Sequence, residues 1–218
     1  LDMRAPGVEV RPLRQITGEA EFNEVYLSDA RVPEANRLGG VGEGWRVSIT
    51  TLMNERVTIG ESISPRGEGA IATAVDVWRN SGSDDRARRD ELIRLWVDAE
   101  AVRLTSLRDR AARLRGTPGA EGSILKLQWA ELRKQTFAWA VTMMGARGML
   151  YPEAYRYRTP ETMAVDHSPQ WEFLRSRANS IEGGTSEILR NVIGERVLGL
   201  PREPREDLEL AWKDIPRS

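Results

Sequence analysis

The sequence has 218 residues, of which 40% are hydrophobic and 30% charged, and its formal net charge at pH 7 is -1. The absence of cysteine excludes disulfides, thiolate nucleophiles and cysteine-based zinc sites, and the single histidine, His167, excludes a site built on several histidines, so no metal site is expected. The balanced charge and the lack of a long apolar stretch argue against nucleic-acid partners and membrane insertion, and we expect a cytoplasmic protein.

Residues 1–40 carry a strand-like pattern. Short apolar runs within 8–13 and 22–27 are separated by Gly18, and Pro33 follows the second run. Two or three strands do not form a stable sheet by themselves. We therefore expect residues 1–40 to be the end of a truncated β-domain together with a linker.

From residue 41 onward the apolar residues take helical spacing. Trp45, Ile49 and Leu52 fall on one face of a first helix, which Pro65 interrupts before a continuation to about Trp78. The segment Ser81–Asp85 has the composition of a turn. Its acidic residues suit the positive end of the next helix.

The rest of the chain predicts further amphipathic helices. Leu104 and Leu107 continue the apolar stripe of a long helix, and later helices are predicted at about 122–144, 169–180 and 186–198. Amphipathic helices with short connections are typical of an antiparallel bundle. The predicted fold is mainly α, with a helical bundle domain over 41–200, a short β segment at the amino end and a polar tail over 201–218.

Two separated groups of residues resemble the signatures of one family. The carboxy-terminal group is Arg177–Ser180, Ile181–Ile188 and Glu195–Gly199, and the amino-terminal group is Phe22–Val25, Arg31–Pro33 and Gly42–Trp45. They resemble the carboxy-terminal motif of acyl-CoA dehydrogenases and that family's passage from its middle β-domain into its helical domain. The resemblance covers essentially the whole chain and implies roughly the second half of such a protein.

The resemblance implies an FAD-dependent enzyme that oxidises an acyl-CoA thioester to the 2,3-enoyl-CoA by proton abstraction and hydride transfer to flavin. This reaction needs a carboxylate base, donors to the thioester oxygen and a positioned flavin. An electron-transfer partner and a homotetramer or dimer formed through the helical domain are also implied. The chain by itself is expected to be inactive, because the β-domain groups that face the flavin would lie before Leu1.

The family resemblance leaves two positions for the base. Many members carry a Glu just before the Gly-Thr-Ser of the carboxy-terminal motif, where this sequence has Gly183 and places Glu182 one residue early. Other members carry the base on the first helix, and Asn54–Arg56 matches that motif. Glu55 shares a helix face with Leu52, an apolar setting of the kind that raises a carboxylate's pKa. We expect Glu55 to be the catalytic base, although an ordinary surface acid or ion-pair partner has the same pattern.

Several other residues take implied roles in catalysis and substrate binding. The backbone N–H of Gly183 is expected to polarise the thioester oxygen together with a flavin ribityl hydroxyl, although Gly183 also suits an ordinary turn with positive φ. Arg56 and Glu182 are assigned to the substrate side. Arg56 equally suits a plain ion pair.

The resemblance also implies two groups of flavin contacts. Thr185 and Glu187 lie at the start of the last helix, where hydroxyl and backbone donors would meet polar cofactor atoms, although Thr185 also suits a helix cap. Gly145, Arg147 and Gly148 resemble the loop that approaches the flavin of a neighbouring subunit. A helix stop followed by a turn explains that loop equally well.

The sequence departs from the family pattern after the first helix, where Ser81–Asp85 replaces an expected Arg-x-x-Phe-Gly motif, and at Thr142, where a flavin-contacting Gln is common. These departures, with Gly183 in the usual place of the base, permit a second hypothesis: a non-catalytic helical subunit that supports a related partner chain. A third hypothesis retains the fold but assigns oxidase or monooxygenase use of the reduced flavin.

Overall fold

A computed structural model describes residues 1–59, 64–116, 119, 121–152, 167–202, 210 and 214–215, and for 53–59 it describes the backbone alone. Within these residues a two-stranded antiparallel sheet is followed by six α-helices. The predicted fold class, a mainly helical bundle with a short β segment at the amino end, is confirmed.

The amino-terminal hairpin consists of β1 (Val8–Leu13) and β2 (Phe22–Leu27), with Val8 opposite Leu27. Apart from Val8, every residue of the two strands is exposed within the described part of the chain. The hairpin therefore contributes little to the apolar core.

The turn between the strands joins the hairpin to the helices. Thr17 is fully buried, and its carbonyl accepts a hydrogen bond from the Tyr151 hydroxyl at 2.7 Å. Arg175 adds an ion pair with Glu21 at 3.2 Å. These contacts fix one end of the hairpin beside the last third of the chain.

The helices are α1 (Gly44–Ile59), α2 (Ala70–Ser81), α3 (Arg86–Leu114), α4 (Glu121–Met143), α5 (Pro169–Arg175) and α6 (Ser186–Arg196). The predicted acidic turn before α3 is confirmed as a helix start, because the Asp85 carboxylate accepts from the backbone N–H of Ala87 at 2.9 Å and of Arg88 at 3.2 Å. Helix α2 ends at Gly82, whose φ of 62° favours glycine.

Helix α5 is shorter than its sequence pattern predicts. It ends at Arg175, and a 3-10 turn over Ala178–Ser180 replaces the predicted continuation. The Ser176 hydroxyl donates to the carbonyl of Phe173 at 2.9 Å, a local side-chain bond of the kind that competes with helix. The chain therefore bends here, before it reaches the predicted catalytic turn.

Helix α4 is central, because it packs against α2, α3, α5 and α6. The main core cluster comes from three helices: Ile71 and Ala74, Leu92 and Leu95, and Trp139 and Ala140. Each large apolar side chain buried there contributes roughly 1.5–3 kcal/mol relative to exposure. Helix α4 thus contacts both this core and the carboxy-terminal helices α5 and α6.

None of the described helices combines the length and apolar character needed to cross a bilayer. A group of side chains suited to hold a metal ion is likewise absent from the described residues.

Candidate active site

The segment between α5 and α6 turns at Gly183 and Gly184. Their φ angles are 64° and 106°, a left-handed region that glycine adopts at low cost and other residues rarely enter. A Cβ at Gly184 would meet Leu189 at an ordinary 3.7 Å, so the backbone conformation, and not crowding, demands glycine there.

Lys126 of α4 contacts this turn from within the bundle. The residue is 3% exposed, and its Nζ donates to the carbonyl oxygen of Gly184 at 2.5 Å. Burial lowers the pKa of Lys126, and the nearby carboxylates of Glu182 and Glu131 oppose that change. A buried cation thus lies directly under the predicted thioester-binding turn.

Glu182 is engaged by two neighbours. Its Oε2 accepts from Arg175 at 3.1 Å and its Oε1 from Asn179 at 2.5 Å, and the side chain is 35% exposed. Arg175 also pairs with Glu21. The structure therefore gives Glu182 a structural role in bracing the turn, while a contact with substrate stays a prediction.

The start of α6 combines a cap with a second link to α4. The Thr185 hydroxyl accepts from the N–H of Ile188 at 3.3 Å, which caps the helix. The buried Ser186 donates to Glu131 of α4 at 2.9 Å. Glu187 is exposed and forms an ion pair with Arg190 at 3.7 Å, and its flavin contact stays a prediction.

The predicted loop after α4 forms a 3-10 turn over Gly145–Met149. A Cβ at Gly148 would lie 2.3 Å from the carbonyl oxygen of Val141, so the loop passes too close to α4 for any side chain. Gln170 holds the loop by donating to the carbonyls of Arg147 at 3.1 Å and Leu150 at 3.0 Å.

Arg147 is exposed, and its guanidinium forms no hydrogen bond or ion pair with the described residues. Gly145 has a φ of 57°, and no atom of the described residues lies within 4 Å of the position that its Cβ would occupy. Among the described residues, the end of α4 therefore carries an exposed guanidinium that has no partner.

The predicted base lies in α1. The backbone of Glu55 and Arg56 is helical, but their side chains lie outside the described residues. Earlier on this helix, Trp45 is 79% exposed and Leu52 is 48% exposed. The apolar stripe of α1 is therefore uncovered by the described residues, and the expected apolar setting of Glu55 is untested.

A cavity of about 150 Å³ lies among α2, α3 and α4. Its lining includes the cationic side chains of Lys126, Arg103 and Arg133 together with Trp129. Arg103 is paired with Glu100 and Arg133 with Glu172. The cavity therefore has a polar wall whose cations are already partnered.

Residues 42–198 match the family model for the carboxy-terminal domain of acyl-CoA dehydrogenases. The chain belongs to the acyl-CoA dehydrogenase family. The match includes the glycine turn, α4 and all the site residues predicted from the sequence.

Curated relatives agree with this assignment. Acyl-CoA dehydrogenase IpdE1 of Mycobacterium tuberculosis is 37% identical over 205 residues, which are 92% of this chain and 49% of that protein. Acyl-CoA dehydrogenase FadE34 of the same organism is 35% identical over 205 residues, or 93% of this chain and 26% of that protein. The chain thus spans about half or less of the length of these curated relatives.

Several solved structures share the fold. The Tcur3481-Tcur3483 steroid ACAD aligns with a TM-score of 0.74 at 24% identity and covers 92% of this chain and 51% of that one. The ChsE4-ChsE5 complex from Mycobacterium tuberculosis aligns with a TM-score of 0.70 at 23% identity and covers 93% and 51%. At these identities the likeness shows the fold alone.

Sequence reasoning missed Lys126 as a site residue of this acyl-CoA dehydrogenase domain, although a signal was present. Ser123, Lys126, Ala130, Phe137 and Ala140 are all buried and recur at spacings of three, four or seven along α4. A lysine at a core position of an amphipathic helix needs a polar partner. Periodicity could therefore have singled out Lys126, but it could not have identified Gly184 as its partner.

Proposed function

We propose that the complete protein is an FAD-dependent acyl-CoA dehydrogenase that oxidises a saturated acyl-CoA thioester to the 2,3-enoyl-CoA. The observation that carries this proposal is the Gly183–Gly184 turn, held in left-handed conformation on a buried lysine in a chain of this family. Such a turn leaves the Gly183 N–H without a side chain that would screen it. A backbone donor of this kind stabilises the negative charge that develops on a thioester oxygen.

The proposed base is Glu55, which would remove the proton from the carbon next to the thioester. A base on α1 is consistent with glycine at position 183, because Gly183 has no carboxylate to offer. Glu182 is the less favoured alternative, because Arg175 and Asn179 already hold both of its carboxylate oxygens. Arg56 is proposed to shape the substrate side of the same helix.

Two described groups fit FAD. The exposed Arg147 guanidinium, which has no partner among the described residues, suits the anionic pyrophosphate of the cofactor. The Gly148 backbone keeps that loop against α4. The Thr185 hydroxyl accepts one bond from Ile188, and within the described part of the chain its own hydrogen has no acceptor, so it could donate to the cofactor. When bound, FAD would supply the acceptor for the hydride.

Assembly through the helical domain is part of the proposal. Helix α3 carries Ile93, Val97 and Leu104, which are between 52% and 55% exposed and lie near one face of the helix. An apolar face of this kind is typical of a surface that another subunit covers. An electron-transfer partner would reoxidise the reduced enzyme.

The decisive test is Glu55→Gln in the complete protein, assayed for acyl-CoA oxidation with an artificial electron acceptor. Loss of a general base lowers kcat by about a hundredfold or more. Glu43→Gln is the matched control, because Glu43 lies just before α1 and its carboxylate accepts hydrogen bonds only from Gly40 and Arg46 among the described residues. Equal rates for Glu55→Gln and the unaltered protein would falsify the assignment of the base.

The second candidate function is a non-catalytic helical subunit of a heteromeric complex. The glycine at position 183 favours it, and two structural neighbours are named as two-component assemblies. This role would be supported if the protein co-purifies with a related chain and if the complex keeps its FAD and all of its activity when Glu55 is replaced. Peroxide formation under air would instead indicate an oxidase.

A further inference from the structure

A buried ammonium group at Lys126 needs a physical reason. Removing a charge from water is costly unless hydrogen bonds compensate, and an apolar residue would fill the same core position more cheaply. Lys126 is 3% exposed, and its bond to the Gly184 carbonyl is a long-range contact between residues 58 positions apart. Its most specific structural consequence is to tie α4 to the glycine turn.

Helix α4 holds both sides of that turn by other contacts. Arg133 pairs with Glu172 before the turn, and the Lys134 carbonyl accepts from Arg177 at 3.1 Å. After the turn, Ser186 bonds to Glu131. These contacts fix the flanking segments and leave the glycines between them.

Within the described residues, the Lys126 bond is the only side-chain hydrogen bond to Gly183 or Gly184. Glycine has the widest range of backbone conformations, and two in succession have no side chains to restrain them by packing. Because Lys126 holds the Gly184 carbonyl oxygen, the peptide plane between Gly184 and Thr185 cannot rotate freely. That restraint also limits where the preceding Gly183 N–H can point.

We propose that Lys126 is a positioning residue that holds the Gly183–Gly184 turn so that the Gly183 N–H is directed at the thioester oxygen. The inference rests on the proposed function, because it takes that N–H as the donor to substrate. Lys126 itself does not touch the reacting atoms. Its effect on the reaction passes through the conformation of the turn.

The test compares Lys126→Met with the unaltered complete protein. Methionine has a similar length and no donor, and it removes a buried charge, so the thermal midpoint is expected to change little. Amide hydrogen exchange in a peptide covering 181–187 should become about tenfold faster or more, because the local opening is no longer restrained. With saturated acyl-CoA thioesters and an artificial acceptor, kcat should fall roughly tenfold to a hundredfold while KM changes about twofold or less.

Lys134→Met is the matched control. It makes the same change on the same helix, but the Lys134 Nζ contacts Glu131 and not the turn. It should leave exchange in 181–187 and kcat near the unaltered values. Lys126→Arg keeps a donor of similar reach and should recover part of the lost kcat. If the methionine variant does not fold, Lys126→Arg and Lys126→Gln are compared with each other instead.

If amide exchange in 181–187 is unchanged in Lys126→Met, the inference that Lys126 restrains the turn is wrong. Faster exchange with an unchanged kcat overturns the positioning role. If the unaltered protein oxidises none of the straight, branched or cyclic acyl-CoA thioesters tested, the proposed function fails. The exchange rates then still show whether Lys126 restrains the turn.

Discussion

Gly148→Ala should destabilise the protein by an amount that can be estimated from distances in the structure. The added Cβ would lie 2.3 Å from the carbonyl oxygen of Val141 and 3.2 Å from its carbonyl carbon. Because those atoms belong to the backbone of α4, a change of rotamer cannot relieve the contact, and either the loop or the helix end must move. Such overpacking costs about 2 kcal/mol, or a fall in the melting temperature of roughly 4–8 °C for a domain of this size.

The assay is thermal unfolding of the complete protein, followed by tryptophan fluorescence, which reports on the core around Trp139. Gly122→Ala is the matched control: Gly122 lies inside α4, and its Cβ would come no closer than 3.5 Å to Arg113. Because Gly122 is the second residue of α4, in its first turn, alanine there should raise the free energy of unfolding by less than the roughly 0.5–1 kcal/mol of a helix interior. A Gly148→Ala protein as stable as Gly122→Ala would refute the close approach of the loop.

Two further predictions concern the network around the turn. Arg175→Ala should lower the free energy of unfolding by about 1.5–3 kcal/mol, because it removes the cation that pairs with both Glu182 and Glu21. An unchanged urea midpoint would show that those ion pairs contribute nothing to stability. Although burial opposes the change, bonds from Ser186 and Lys134 hold the pKa of Glu131 below its ordinary value. The ionised Glu131 therefore stabilises the fold fully above its unfolded pKa, and this contribution is lost as the pH falls through its folded pKa. In Glu131→Gln the unfolding free energy should consequently fall less steeply below about pH 4.5 than in the unaltered protein. Parallel profiles for the two proteins would contradict this.

The sequence predicted the local features of the fold well. Helical spacing located the helices of the bundle, and the acidic turn at Asp85 marked the start of α3, because caps and amphipathic periodicity depend on neighbouring residues. The family motif around Gly183 identified the turn for the same reason. The end of α5 was predicted too late, because the bond of Ser176 back to Phe173 competes with helix in a way that apolar spacing does not reveal.

Sequence by itself therefore determined the fold class, the family and the positions of the glycine turns. Only the tertiary structure decided which side chains meet there: Lys126 with Gly184, Ser186 with Glu131, and Glu182 with Arg175. The first two pairs join residues more than 50 positions apart, and the third forms across a bend that the sequence predicted as helix. Such contacts depend on how helices pack, which is a property of the whole bundle, whereas helix starts and turns depend on a few consecutive residues.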